Sequence, residues 1–393
     1  MTVVPSSALL PHAAIVGGSL GGLAAARALS QTGWSVDVYE RSPTELSQKG
    51  SGLGFVHVPA WESLTQRPMI RRQVRASRAQ GSYFYGDLWS YLYQRLLEEE
   101  ETVKVHFGQP ITELHGTVEA PVIHHQNYDL VVLADGGFSA LRHHVLGERA
   151  KPEYAGYVVW RGSVAVSKLP SHLRRDLKHV EGVYKNGIYD TIVLKMAKDN
   201  GDDIWTMGTF VATPESDLAR YNWNKDKDGK SRHGGISDNN NNKPSVVPDW
   251  FLEHMTQQFP HLVPLMEQMM QQGEIQPHPQ YEFGNIDKVH KGRVLLLGDA
   301  AHMASPRTAV GAHTAILDAL ALRDAMEHLQ ENDDLTIDNA LDLYSREGLA
   351  HARQLYARTR EVSQDFVPKG NLDKLISPEE LYRSSTSTEK KSA

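Results

Sequence analysis

Gly17, Ser19 and Gly22 occupy the three places of a Gly-x-Gly-x-x-Gly turn in the stretch IVGGSLGGLAAARAL, and Glu40 closes the next apolar segment. Residues of these types in this order suit a dinucleotide. The first glycine permits a tight turn, and the third lets a helix pack closely on a strand. The middle position must let backbone approach a pyrophosphate at the helix N-terminus. Serine is the next smallest polar residue, and its hydroxyl can donate to phosphate. Glu40 would accept from the hydroxyls of an adenosine ribose, which argues against a 2′-phosphate and for the ADP of NAD or FAD. Leu20, opening the helix, and Arg41, beside the carboxylate, belong to the same candidate cofactor site.

A second group of candidates lies far downstream. Asp299 follows an apolar run (RVLLLG) and would offer a carboxylate to the hydroxyls of a sugar alcohol. Pro306 then breaks the chain, and Gly311, Ala312 and His313 open a helix of small residues. Free N–H groups and partial positive charge at such an N-terminus favour an anion. Trp160 and Arg161 alternate across a strand, so only one of them can face a pocket. Arg161 would there hold an anionic ring oxygen; a surface or interdomain ion pair is the plainer alternative. His57 could act as an acid–base group, with a packed or exposed histidine as its plainer alternative.

These residues need elements to hold them. Ala13 to Val16 reads as a buried strand, Leu20 to Gln31 as a small-residue helix and Trp34 to Tyr39 as a second strand, giving a βαβ unit. Tyr128 to Leu133 and Gly292 to Leu297 supply further strands. Between them, Tyr154 to Val166 and Ile204 to Ala212 are aromatic and β-branched, as in a separate sheet. Thr314 to Gln330 and Asp338 to Phe366 carry helical patterns. The polar tract from Asn222 to Val247 reads as a disordered surface loop, and Arg383 to Ala393 as a frayed tail. The pattern predicts an α/β chain in which a discontinuous Rossmann-like domain is interrupted by an inserted β-sheet and followed by C-terminal helices.

Composition bounds the function. With 393 residues there is room for two cores. A net charge of -7 gives no electrostatic reason to expect nucleic acid. There is no cysteine, which excludes disulfides, thiolate chemistry and Cys-ligated metal centres. The histidines lack metal-ligand spacing, so no metal is expected. No basic leader segment and no apolar run of membrane length is present, so no membrane span is expected and the cytoplasm is the expected compartment.

Three blocks carry a more specific resemblance. DLVVLADGGFSALR (Asp129 to Arg142) resembles the Asp-Gly motif of the single-component flavin-dependent aromatic hydroxylases. RVLLLGDAAHMASPRTAVGAHTAILD (Arg293 to Asp318) resembles that family's second FAD signature. With the N-terminal turn, the blocks follow the family's order along most of the chain. Tyr154 to Gly162 (YAGYVVWRG), the Gly17-Gly18-Ser19 start and the Gly52-Leu53-Gly54 strand are similar to the 2,6-dihydroxypyridine 3-hydroxylase subgroup.

The resemblance implies the p-hydroxybenzoate hydroxylase fold and non-covalent FAD. NADH or NADPH would be co-substrate with O2, and the activity would be hydroxylation of an electron-rich aromatic or N-heterocyclic ring. It further implies that Gly54 approaches the flavin, that Asp135, Gly136 and Arg142 serve the pyrophosphates, that Asp299, Gly311, Ala312 and His313 bind the flavin, and that Arg161, Pro306 and His57 are the catalytic candidates. The implied organisation has FAD-binding parts at 1–153, with a substrate-domain excursion near 59–81, and at 285–366. A substrate sheet would occupy 154–284, and a tail 367–393.

Departures from the family leave rivals open. Ala309-Val310 stand where the family commonly has Gly-Gln, and Gly86 stands where many members place an arginine. Pro59 to Gly81 is shorter than in the subgroup. The same chemistry on salicylate, hydroxynicotinate or urate remains an alternative. So do a flavoprotein with a degenerate substrate site and, more remotely, an NAD-only dehydrogenase. A homodimer is left open.

Overall fold

A computed structural model describes residues 10–46, 53–54, 58–66, 84–85, 88–98, 101–147, 151–177, 182–185, 189–196, 202–221, 247–272, 275–364 and 366–367. The polar tract expected to be disordered and the C-terminal tail lie almost wholly outside these residues. So do His57 and much of the shortened segment.

The first sheet has six strands: β1 (His12–Val16), β2 (Ser35–Glu40), β5 (Val103–Phe107), β9 (Leu130–Leu133), β15 (His290–Lys291) and β16 (Val294–Leu296). Their order is β15-β16-β9-β1-β2-β5, all parallel except the β15–β16 pair. The sequences LVVL and VLL of β9 and β16 are fully buried, as expected for parallel strands covered on both faces. Sequence-distant β16 lies directly beside β9 in register Leu295↔Val132. The chain therefore leaves this sheet after β9, builds a second sheet, and returns.

Helix α1 (Leu20–Gln31) connects β1 to β2, and its alanines and Gly22 are buried. Small side chains allow it to lie close to α8 (Gly311–Gln330), which packs in turn on α9 (Ile337–Gln364). The helical patterns read from Thr314 and Asp338 thus begin slightly earlier. The strand read from Gly292 is shorter, because Gly292 sits at φ +52° in a turn. Helices α2 (Val58–Thr65) and α3 (Leu88–Leu97) pack on α1, and α4 (His143–Leu146) packs against β15 and β16. The minor sheets β3 (Leu53–Gly54) with β4 (Phe84–Tyr85), and β6 (His115–Gly116), β7 (Pro121–Ile123) and β8 (Gln126–Asn127), complete the chain's first half.

The second sheet is antiparallel, in the order β11-β12-β13-β10-β14. It comprises β10 (Glu153–Ala165), β11 (Gly182–Lys185), β12 (Tyr189–Met196), β13 (Ile204–Ala212) and β14 (Gln276–Glu282). Strand β14 was not legible in the sequence, since QPHPQYE carries two prolines. As the edge strand it pairs on one side only, where a missing N–H is tolerated. One face of the sheet is filled by Val158, Trp160, Val164 and Met207 against Phe251, Met255 and Met269. The latter belong to α6 (Asp249–Gln258) and α7 (Val263–Gln271), while α5 (Ser171–Asp176) follows β10. The other face, carrying Tyr157, Val159, Arg161 and Phe210, looks toward the loop before α8. No helix among the described residues is long and apolar enough to cross a membrane.

Candidate functional site

Two loops at the C-terminal ends of β1 and β2 form the first part of the site. Gly17 has φ +106°, and a side chain there would overlap the Ala134 carbonyl at the end of β9. Gly22 faces the Gly17 carbonyl oxygen, leaving no room for a Cβ. Sterics alone therefore require both glycines. Ser19 is the N-cap of α1, yet its hydroxyl makes no capping bond. The Glu40 carboxylate is buried: Gly18 N–H donates to Oε2 at 2.8 Å and Ser42 N–H to Oε1 at 2.8 Å. It is thus fixed at the tip of β2, beside the turn. The Leu20 side chain packs in the core at 4% exposure, so only its backbone can meet a ligand. Arg41 is exposed next to Glu40.

The second part gathers the loop after β9 and the loop before α8. Gly136 has φ +92° with open space where a side chain would stand. Asp135 has a buried Oδ1 without a hydrogen-bond partner, and burial pushes its carboxyl above the usual range. Asp299 is exposed, yet dense surrounding protein raises its pKa. A Cβ on Gly311 would stand 4.0 Å from Asp299 Oδ1, so this carboxylate lies beside the start of α8. Neither α1 nor α8 has an acidic residue in its first turn or a side-chain cap. Their N–H groups and dipoles are left for an outside acceptor.

Arg142 departs from the expected pyrophosphate contact. It is fully buried, its guanidinium 3.9 Å from the centre of the Phe283 ring. It donates to the carbonyls of Ala300 (2.8 Å), Gly137 (2.9 Å) and Asp299 (3.1 Å). Burial lowers its pKa to about 10. Arg142 therefore ties the two loops together from behind instead of facing a ligand. His313 is likewise buried, leaving its backbone as the available group, whereas Ala312 is partly exposed and Pro306 exposed. Gly54 lies in β3 opposite Phe84. His57 falls outside the described residues.

A buried network supports the Asp299 loop, and the sequence reading missed it. Asp318 of α8 accepts from Gly298 N–H (2.9 Å) and pairs with His302 Nε2 (2.6 Å) and His351 Nδ1 (2.8 Å). Burial would push His302 down and Asp318 up. Their mutual attraction overrides it, holding the imidazole above and the carboxyl well below its usual range. An acid amid alanines of a helix looks like a surface residue, so periodicity alone gave no signal. Among the described residues no such group has the geometry of a metal site.

The open face of the second sheet meets the same loop. Tyr157 Oη and Ser305 Oγ share a hydrogen bond of 2.5 Å, and Arg307 donates to Asp190 at 2.7 Å. Arg307 also lies over the rings of Phe210 and Phe366. Arg161, one strand turn further along β10, has no hydrogen bond or carboxylate partner among the described residues, and burial lowers its pKa. Its guanidinium lies on the same sheet face as Tyr157 and Val159. Among the described residues it forms no ion pair.

Comparisons with known proteins converge on one class. A model described as "FAD binding domain" matches residues 226–359, and one described as "NAD(P)-binding Rossmann-like domain" matches 15–45. The chain is 32% identical over 182 residues to 2,6-dihydroxypyridine 3-monooxygenase of Paenarthrobacter nicotinovorans, spanning 38% of this chain and 42% of that protein. It is 23% identical to an FAD-dependent urate hydroxylase of Klebsiella pneumoniae, over 93% of this chain and 98% of that one. The solved 2,6-dihydroxypyridine-3-hydroxylase from Arthrobacter nicotinovorans superposes with a TM-score of 0.71 at 22% identity, covering 92% and 93% of the two chains. The chain is thus similar, in sequence and in fold, to FAD-binding monooxygenases. Other proteins similar to it are urate, hydroxynicotinate and hydroxybenzoate hydroxylases.

Proposed function

We propose that the protein hydroxylates an electron-rich hydroxylated aromatic or N-heterocyclic ring, using bound FAD, NAD(P)H and O2. The observation that carries this reading is the unpaired Arg161 on a sheet face that looks toward the Asp299–Gly311 loop. The residues fit FAD: two uncapped helix N-termini, a fixed Glu40 carboxylate, an open Gly136 and an exposed Asp299 beside the start of α8. Residues 1–153 and 285–366 are assigned to the cofactor and 154–284 to the substrate.

In this reading Gly17, Ser19, Gly22 and Glu40 hold the ADP half. Asp135, Gly136, Asp299, Gly311 and Ala312 hold the flavin half. Bound FAD supplies acceptance of hydride from NAD(P)H and activation of oxygen. The protein's own tasks are to orient the ring, hold its oxygen as an anion and exclude water. Arg161 serves the second task, because a partly desolvated cation favours the more nucleophilic oxyanion over the neutral phenol. Val159, Phe210 and Tyr157 give that face its apolar wall. Dependence on NAD(P)H fits a cytoplasmic enzyme.

The test is an absorption spectrum of purified protein, with release of its flavin, followed by NAD(P)H oxidation with a panel of phenols and hydroxypyridines. Stoichiometric FAD and stimulation by at least one ring are expected. Full FAD occupancy without stimulation by any ring would leave only a flavin-binding protein.

A further inference from the structure

Strands β10 and β14 pair in the register Val159↔His278 and Arg161↔Gln276. Directly paired residues share a face and successive ones alternate, so His278 and Arg161 are diagonal neighbours on the same face. The intervening residues Val158, Trp160, Pro277 and Pro279 are buried, while Arg161 and His278 are partly open. Neither the imidazole nor the guanidinium has a hydrogen-bond partner among the described residues. Nearby polar groups are already engaged: Asp190 with Arg307, Tyr157 with Ser305, and Gln280 with the His278 carbonyl.

We infer that His278 is a second substrate-contacting residue, which with Arg161 recognises a ring bearing two polar groups: an anionic oxygen and a neutral hydroxyl or ring nitrogen. This rests on the monooxygenase reading above and goes beyond it by naming the substrate's substitution pattern. Burial, and then the neighbouring Arg161, push the His278 imidazole down to about 4. At neutral pH the pair thus carries one positive charge, on Arg161. A neutral imidazole both donates and accepts, so it suits a hydroxyl or a ring nitrogen. The pair complements a monoanion. A dianion would place its second charge against a group that resists protonation.

The experiment titrates the FAD-loaded enzyme with phenol, resorcinol and 2,6-dihydroxypyridine, following perturbation of the flavin spectrum. The parent is expected to prefer the two-group rings. His278→Phe should weaken those by about ten- to a hundred-fold while leaving phenol affinity and FAD content unchanged. His278→Gln, which keeps a neutral donor and acceptor, should restore most of the preference. If His278→Phe loses its flavin, the same affinity ratio is read in His278→Ala. Equal weakening of all rings, or none, would overturn the role of His278 and leave the monooxygenase reading standing. Failure of the parent to bind any ring would refute both.

Discussion

The loops at the ends of the parallel strands and the open face of the antiparallel sheet handle ligands by different means. Around Gly17, Gly22 and Gly136 the proposed working groups are backbone N–H donors, and at Gly17 and Gly22 the fold has no room for a side chain. Glu40 and Asp299 add one carboxylate at each side. On the antiparallel sheet the reverse holds. Its backbone is consumed by strand pairing, and in the proposed reading a few side chains, Arg161 and His278 foremost, would decide what binds. A backbone site intolerant of added atoms suits a constant cofactor. A side-chain site on a fixed sheet can change its substrate one residue at a time.

The largest expected effect would break the support beneath the first region. Asp318→Ala leaves His302 and His351 without their carboxylate, and removing one partner of a buried pair costs about 3–5 kcal/mol. Urea unfolding should show that loss; a change within experimental error would mean the network carries no load. The parent's pH profile has a definite sign. His302 is raised, so its contribution is complete below its ordinary value of 6.5 and fades as pH rises through the higher folded value. Asp318 is lowered, so its contribution is complete above 3.8 and fades in stronger acid. Stability should therefore fall on both sides of that window.

Smaller effects would separate the regions. Arg161→Ala should raise the Michaelis constant of the ring by about ten-fold or more, as for loss of a charged hydrogen bond, without changing flavin content. Glu40→Ala and Asp299→Ala should do the opposite. Each should weaken FAD retention about ten- to a hundred-fold, measured by flavin titration of the apoprotein. If the two sets of variants have the same phenotype, the division between regions is wrong. The smallest effect concerns Ala309, which adopts a left-handed φ of +56°. Ala309→Gly should gain up to about 1 kcal/mol, seen as a higher denaturant midpoint, because relief of that strain outweighs the glycine's entropy.

The backbone region was legible in the sequence because its requirements are steric and local. Gly17, Gly22 and Glu40 sit at fixed distances along one βαβ unit, and the resemblance extended this to Asp299 and Gly311. Side-chain direction was less legible. Arg142 belongs to the Asp-Gly block, but only the fold reveals that it is wedged behind two loops. His278 lay between two prolines that disguised an edge strand. Asp318 finds its partners His302 and His351 from a different turn and a different helix, a coincidence of tertiary packing that no local pattern announces.

The most direct measurement is turnover of the FAD-loaded protein with NAD(P)H, a dihydroxylated N-heterocycle and isotopically labelled molecular oxygen. Mass spectrometry should find a product carrying one labelled oxygen atom, with NAD(P)H consumption that depends on the ring and falls in Arg161→Ala. Consumption that yields only hydrogen peroxide, with unlabelled ring recovered intact across the whole panel, would contradict the assignment of the sheet face as a hydroxylation site.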